Sequence, residues 1–165
     1  MKHYFVMAGA ALLLCGAMSG VVHAGPVRQQ ALVIDGVYAR ATVPGQRVGA
    51  AYLSIENNGD AADRLVSASS PVAQRVVLHS SQMEQGMAHM QHETSLEIPA
   101  HSRIVLKPGG LHLMLEDLKK PLQEGQTLSM KLKFERSGEV ELALPVKPFM
   151  AEDPMGSPMH HDMMH

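Results

Sequence analysis

The sequence predicts an all-β domain, built as a sandwich or a Greek-key barrel. Residues 32–146 run as short β-prone segments in which apolar and polar side chains alternate. Proline- and glycine-containing turn formers separate these segments, and no amphipathic helix of about a dozen residues interrupts them. One domain is expected, because 165 residues are too few for two domains once a targeting segment is removed.

Nine strands are expected between turn formers such as Asn57-Asn58-Gly59 and Lys107-Pro108-Gly109-Gly110. They cover residues 34–41, 50–56, 64–69, 75–79, 95–98, 103–106, 111–115, 127–134 and 139–145. In the eighth, every second residue from Leu128 to Phe134 is apolar and its neighbours are polar. That alternation predicts one buried face and places Met130 in the core.

Residues 1–24 have the features of a signal peptide. Lys2 precedes an apolar run, and the small-x-small sequence Val22-His23-Ala24 fits signal peptidase cleavage before Gly25. The apolar run, residues 5–14, is shorter than the ~20 residues of a spanning helix, so no stable membrane insertion is expected. The sequence therefore predicts an exported protein, and the periplasm is the expected compartment.

Cys15 is the only cysteine, and it lies in the segment expected to be removed. A mature chain without thiols suits an oxidising compartment, and it excludes a disulfide scaffold, a CxxC redox enzyme and a blue-copper electron carrier. Lipidation of Cys15 is the alternative, although Leu14 occupies the position where a lipobox has a small residue. With a formal net charge of −2 and no basic run, no nucleic-acid partner is expected.

Histidines and methionines in the middle of the chain predict a copper site. Imidazole binds several late transition metals, but thioethers narrow the choice toward Cu(I). In residues 111–115, strand alternation sends His112 and Met114 to one face and the leucines to the other. The alternative is that this pair is simply exposed on the surface and binds nothing.

His79 closes a predicted strand, and Met90 falls in a following stretch that lacks a strand or helix rhythm. The further donors there are interpreted as solvent-facing fillers, with spare ligands as the alternative: Met83, Met87, His89 and His92.

These residues resemble the PCuAC-type periplasmic copper chaperones. The motif of that family, His-x10-Met-x21-His-x-Met, is matched by His79, Met90, His112 and Met114. The resemblance extends over segments 38–45, 49–57, 63–66, 96–99 and 106–114. It implies a cupredoxin-like Greek-key domain at residues 32–146 with an exposed Cu(I) site made by these four residues. It also implies delivery of copper to cytochrome c oxidase, with subunit II or another copper chaperone as the partner.

Residues 147–165 are expected to form a flexible tail, because they contain prolines and little that could be buried. Its histidines can capture Cu(II) and its methionines Cu(I), whereas the alternative is an unselective solvated tail. The candidate additional ligands are Met155, Met159, His160, His161, Met163, Met164 and His165.

No enzyme is predicted, since no nucleophile–base or paired-carboxylate pattern is evident. The carboxylates at strand ends are interpreted as solvated or turn-forming: Asp35, Glu56, Asp63 and Glu116. A passive copper-buffering or resistance protein, with the same ligands and no dedicated recipient, is the alternative to a chaperone.

Overall fold

The computed structural model describes residues 25–150, which form eleven strands and no helix. The predicted signal peptide and residues 151–165 of the predicted tail lie outside the described residues, whereas Lys147, assigned to the tail, is the last residue of the final strand. No helix in the described part is long and apolar enough to cross a membrane. The strands are β1 (Val27–Gln29), β2 (Leu32–Arg40), β3 (Gly49–Asn57), β4 (Asp63–Ser69), β5 (Arg75–Glu84), β6 (Met87–Glu93), β7 (Leu96–Ile98), β8 (Ser102–Leu106), β9 (His112–Glu116), β10 (Thr127–Phe134) and β11 (Gly138–Lys147).

Seven of these strands close into a barrel in the order β2-β11-β10-β4-β5-β9-β3, with β3 pairing back to β2. The β11–β2 pair is parallel, and the other pairs of the ring are antiparallel. The remaining four strands lengthen the sheet outside the ring: β1 pairs with β2, β6 with β5, β7 with β4 and β8 with β3. The prediction of an all-β barrel is confirmed.

Alternation along the strands fills the barrel. In β10, Leu128 and Met130 are buried between exposed or half-buried polar neighbours, as the sequence predicts. In β9, Leu113 and Leu115 point into the core, with 1% and 0% of their surface exposed. A fully buried Leu side chain contributes about 1.5–3 kcal/mol, so this inward leucine face anchors the strand that carries the His-x-Met pair.

The carboxylate of Asp63 is buried rather than solvated, which corrects part of the expectation for the acidic residues. Its Oδ1 accepts hydrogen bonds from the backbone N–H groups of Arg64 and Arg136, and its Oδ2 accepts from the N–H and hydroxyl of Ser137. Burial alone would raise its pKa, but these hydrogen bonds outweigh it and hold the pKa below the usual value. Asp63 therefore fastens the start of β4 to the β10–β11 turn.

The Met- and His-rich stretch after His79 is a β-hairpin, not the irregular segment that the sequence suggested. β5 continues to Glu84, and β6 returns along it from Met87. The two residues between them, Gln85 and Gly86, have φ of 50° and 81°, the pattern of a type I′ hairpin turn. The hairpin extends past the barrel, and most of β6 is exposed, so no apolar alternation marks it. The short edge strand β1 was also not predicted.

Candidate metal centre

Strand register brings the four predicted ligands onto one face of β6, β5 and β9. His79 lies opposite His112 on β9, while Met90 on β6 lies opposite Ser81, two residues along β5. Met114 lies two residues beyond His112, opposite Val77. The leucines that alternate with these positions, Leu78 and Leu113, are buried in the core. The outer surface of the barrel therefore presents all four donors side by side.

His112 is the most buried of these donors. Only 6% of its surface is exposed, and its Nδ1 lies 2.9 Å from the carbonyl oxygen of Gly110. A carbonyl can only accept, so Nδ1 carries the proton and the lone pair is on Nε2. A metal-binding histidine is commonly oriented in this way by a hydrogen bond from its other nitrogen. Gly110 was expected only as a turn residue, and its position two residues before His112 is the available signal for this second role.

His79 is half-buried, with its ring centroid 5.8 Å from that of His112. Its Nδ1 is buried and has no hydrogen-bond partner among the described residues. Burial lowers the pKa of His79; His112 and His92 lower it further, and Glu116 opposes them. These effects favour the neutral imidazole, the form that a metal ligand must have. Coordination of a metal by Nδ1, with the proton on Nε2, would satisfy the unpartnered atom.

The two methionines differ in exposure. Met114 is half-buried, whereas Met90 has 59% of its surface exposed. Both line one cleft with His112, and Tyr52 and Phe149 complete part of its wall. A metal in this cleft would be held from the barrel side by His112 and Met114 and covered from the solvent side by Met90.

The other His and Met residues of the hairpin divide between its two faces. His92 lies opposite His79 and shares the face of the predicted ligands. Met87 and His89 lie opposite Glu84 and Gln82, and so occupy the other face. Spare-ligand roles for Met87 and His89 in this centre are therefore excluded by geometry, whereas His92 lies beside His79 on the same face.

The donor set decides which ions suit the site. No group of three or more His, Cys, Asp or Glu side chains in residues 25–150 is arranged to hold a metal. A site made here by four protein side chains includes the thioethers beside the two imidazoles, and thioethers select Cu(I) over hard or borderline cations. The residues present therefore fit Cu(I).

Comparison with known proteins gives the family. Residues 32–146 match the model of the LpqE-like family, and the chain belongs to that family. It is 38% identical over 106 residues to the protein of Leifsonia xyli subsp. xyli named "Putative lipoprotein Lxx21020". The aligned part of the chain spans 64% of the length of that relative.

Two solved structures with a similar fold are named for copper. The copper-bound PCuAC domain from PmoF2 is 27% identical, with a TM-score of 0.65, over 74% of this chain and 97% of that domain. The Cu(I) form of DR1885 from Deinococcus radiodurans is 32% identical, with a TM-score of 0.58, over 74% of this chain and 80% of that protein. The chain therefore has the fold of PCuAC copper-binding domains.

Proposed function

We propose that this protein is an exported copper chaperone that binds one Cu(I) ion through His79, Met90, His112 and Met114. The observation that carries the proposal is the convergence of two imidazoles and two thioethers from β5, β6 and β9 on one face. The likeness to copper-bound PCuAC domains supports it. The protein is a carrier rather than an enzyme, with copper as its cargo.

The donor set suits a carrier that must release its ion. Neutral His and Met donors bind less tightly than thiolates and resist oxidation in an oxidising compartment. Met90 lies on the exposed side of the cleft, so an incoming ligand of a partner can replace it first. We propose cytochrome c oxidase, through subunit II and its dinuclear centre, or another copper chaperone as the recipient.

The tail adds a second part to the proposal. Met155, Met159 and Met163–Met164 are candidate Cu(I) donors, and His160, His161 and His165 are candidate Cu(II) donors. Phe149 lines the cleft, so the described part of the chain ends next to the folded site. Collecting copper there would raise its local concentration at the cleft.

Export is proposed to the periplasm, with cleavage of a signal peptide before Gly25. The lipoprotein name of the relative favours a second candidate, a chain cut before Cys15 and anchored by lipid on that residue. The intact mass of the protein from membrane and soluble fractions separates the two. A soluble chain that begins at Gly25 supports signal-peptide cleavage. A membrane-bound chain that begins at a lipid-modified Cys15 supports the lipid anchor instead.

Anaerobic Cu(I) titration against a chelator tests the folded site. The full chain and a chain ending at Met150 should each retain the folded Cu(I) site, and His112→Ala should abolish it in the shorter chain. Retention of full affinity by the short His112→Ala chain would contradict the proposed ligand set.

A transfer assay separates a chaperone from a passive copper buffer. The Cu(I)-loaded protein is mixed with the soluble copper domain of oxidase subunit II, and the rate is compared with release to a chelator. Transfer faster than spontaneous release indicates direct handover. Equal rates favour the buffering protein.

A further inference from the structure

The imidazole of His92 is a donor that the proposed Cu(I) site does not use. Pairing of β6 with β5 places His92 opposite His79, and their ring centroids are 5.8 Å apart. On the other side of His79, the ring of His112 lies at the same 5.8 Å. His79 is therefore the middle of a row of three imidazoles that crosses three strands.

The surroundings of His92 leave its nitrogens available. The residue is exposed, and in the part of the chain that the structure describes its side chain makes no hydrogen bond or ion pair. By contrast, His101 lies 2.9 Å from a carboxylate oxygen of Asp60, and Nδ1 of His112 is engaged by a carbonyl. The ring of His92 contacts the ring of His79, and this is its one recorded ring contact within residues 25–150.

The spacing fits two imidazoles on one ion. Because a metal–imidazole bond is about 2 Å, two rings on one ion have centres roughly 4.5–6.3 Å apart, from the cis to the trans arrangement. The 5.8 Å between His79 and His92 falls in that range. The three rings form a row rather than a ring around one point, and no three-residue His, Cys, Asp or Glu site exists among the described residues. One ion would therefore take His79 with one neighbouring histidine at a time.

We propose that His79 and His92 form a second copper site that takes Cu(II). Cu(II) prefers a tetragonal set of nitrogen and oxygen ligands, and water on the exposed side of His92 can supply the oxygens without a thioether. The inference rests on the proposed function in one respect, since His79 is also a ligand of the Cu(I) site. Because the two sites share His79, Cu(II) at one and Cu(I) at the other exclude each other.

The test uses the whole chain from Gly25 to His165 with the three tail histidines replaced by glutamine, so that Cu(II) binding reports on the folded domain. Cu(II) affinity is measured by competition with glycine, and nitrogen coordination by electron paramagnetic resonance. His92→Gln should lower the Cu(II) affinity on the order of tenfold or more, and reduce the nitrogen hyperfine structure by the contribution of one imidazole, while Cu(I) affinity keeps the parent value. His89→Gln, on the opposite face of the same strand, is the matched control and should change neither.

Unchanged Cu(II) affinity in His92→Gln would overturn the second site. An equal fall of Cu(I) and Cu(II) affinity in that variant would overturn it too, because His92 would then belong to a single common site. Failure of the proposed function looks different. A parent chain that binds no Cu(I), but binds Cu(II) in a manner abolished by His92→Gln, would contradict the Cu(I) chaperone and leave this inference intact.

Discussion

Replacing Met114 by leucine isolates the thioether from the packing of the site. Met114 is half-buried on β9 opposite Ala50 and Val77. Leucine has nearly the same volume, so the change should cost less than about 1.5 kcal/mol of unfolding free energy without metal. Met130→Leu is the matched control, because Met130 is fully buried in the core and makes no part of the cleft.

The expected effect on copper is larger. Removing a residue that only hydrogen-bonds to a metal ligand lowers metal affinity by about 10- to 100-fold. Loss of a ligand itself should lower the affinity at least as much. That range corresponds to about 1.4–2.7 kcal/mol of binding free energy. Because a ligand stabilises the folded state by RT ln(1 + [L]/Kd), the stabilisation gained with excess Cu(I) should shrink by the same amount.

Two measurements check this expectation. Anaerobic chelator competition gives the Cu(I) affinity of the parent chain, Met114→Leu and Met130→Leu, and thermal unfolding with and without Cu(I) gives the linked stabilisation. Met114→Leu should lose both, and Met130→Leu should keep both. Parent-like Cu(I) affinity in Met114→Leu would refute the assignment of this thioether as a ligand.

Three further predictions concern stability, pH and the hairpin. Asp63→Asn should lower the unfolding free energy in urea on the order of 2 kcal/mol, because the charge is lost and an NH2 donor replaces one of the two oxygens that accept four hydrogen bonds. Since the pKa of Asp63 is lowered in the folded state, its contribution is complete above the ordinary carboxyl pKa and lost as pH falls through the folded value; the variant should show less acid sensitivity. Cu(I) affinity should fall as pH drops below 6.5, because protonation of an imidazole removes its donor, and the lowered pKa of His79 shifts its own contribution to lower pH; an affinity constant from neutral to mildly acid pH would argue against histidine ligation. Gly86→Ala should strain the hairpin turn by about 1 kcal/mol and weaken Cu(I) binding through Met90, whereas Gly125→Ala, with the same φ of 81° and the same open surroundings, should leave copper binding unchanged.

The sequence predicted the barrel strands well where one face is buried. The strand at residues 127–134 was predicted with its observed ends, since its inward face must be apolar and its outward face must be wet. The hairpin of β5 and β6 was missed, because β6 is exposed on both faces and needs no apolar alternation. The available signal was the Gln85-Gly86 turn. A two-residue turn at that place fixes the register that sets His79 opposite His92.

The sequence by itself determined which donors exist. It supplies imidazoles and thioethers without a thiol, and strand alternation alone puts His112 and Met114 on one face. Composition and local periodicity are properties of neighbouring residues, so they can be read along the chain.

The tertiary structure decided which donors meet. Pairing of β5 with β9 and β6 sets His79 between His112 and His92. The same pairing turns His89 to the other face of the hairpin. It also buries His112 against the Gly110 carbonyl and leaves Met90 exposed. Register between strands depends on turns and on packing across the barrel, and these are contacts between residues far apart in sequence, which no local pattern specifies.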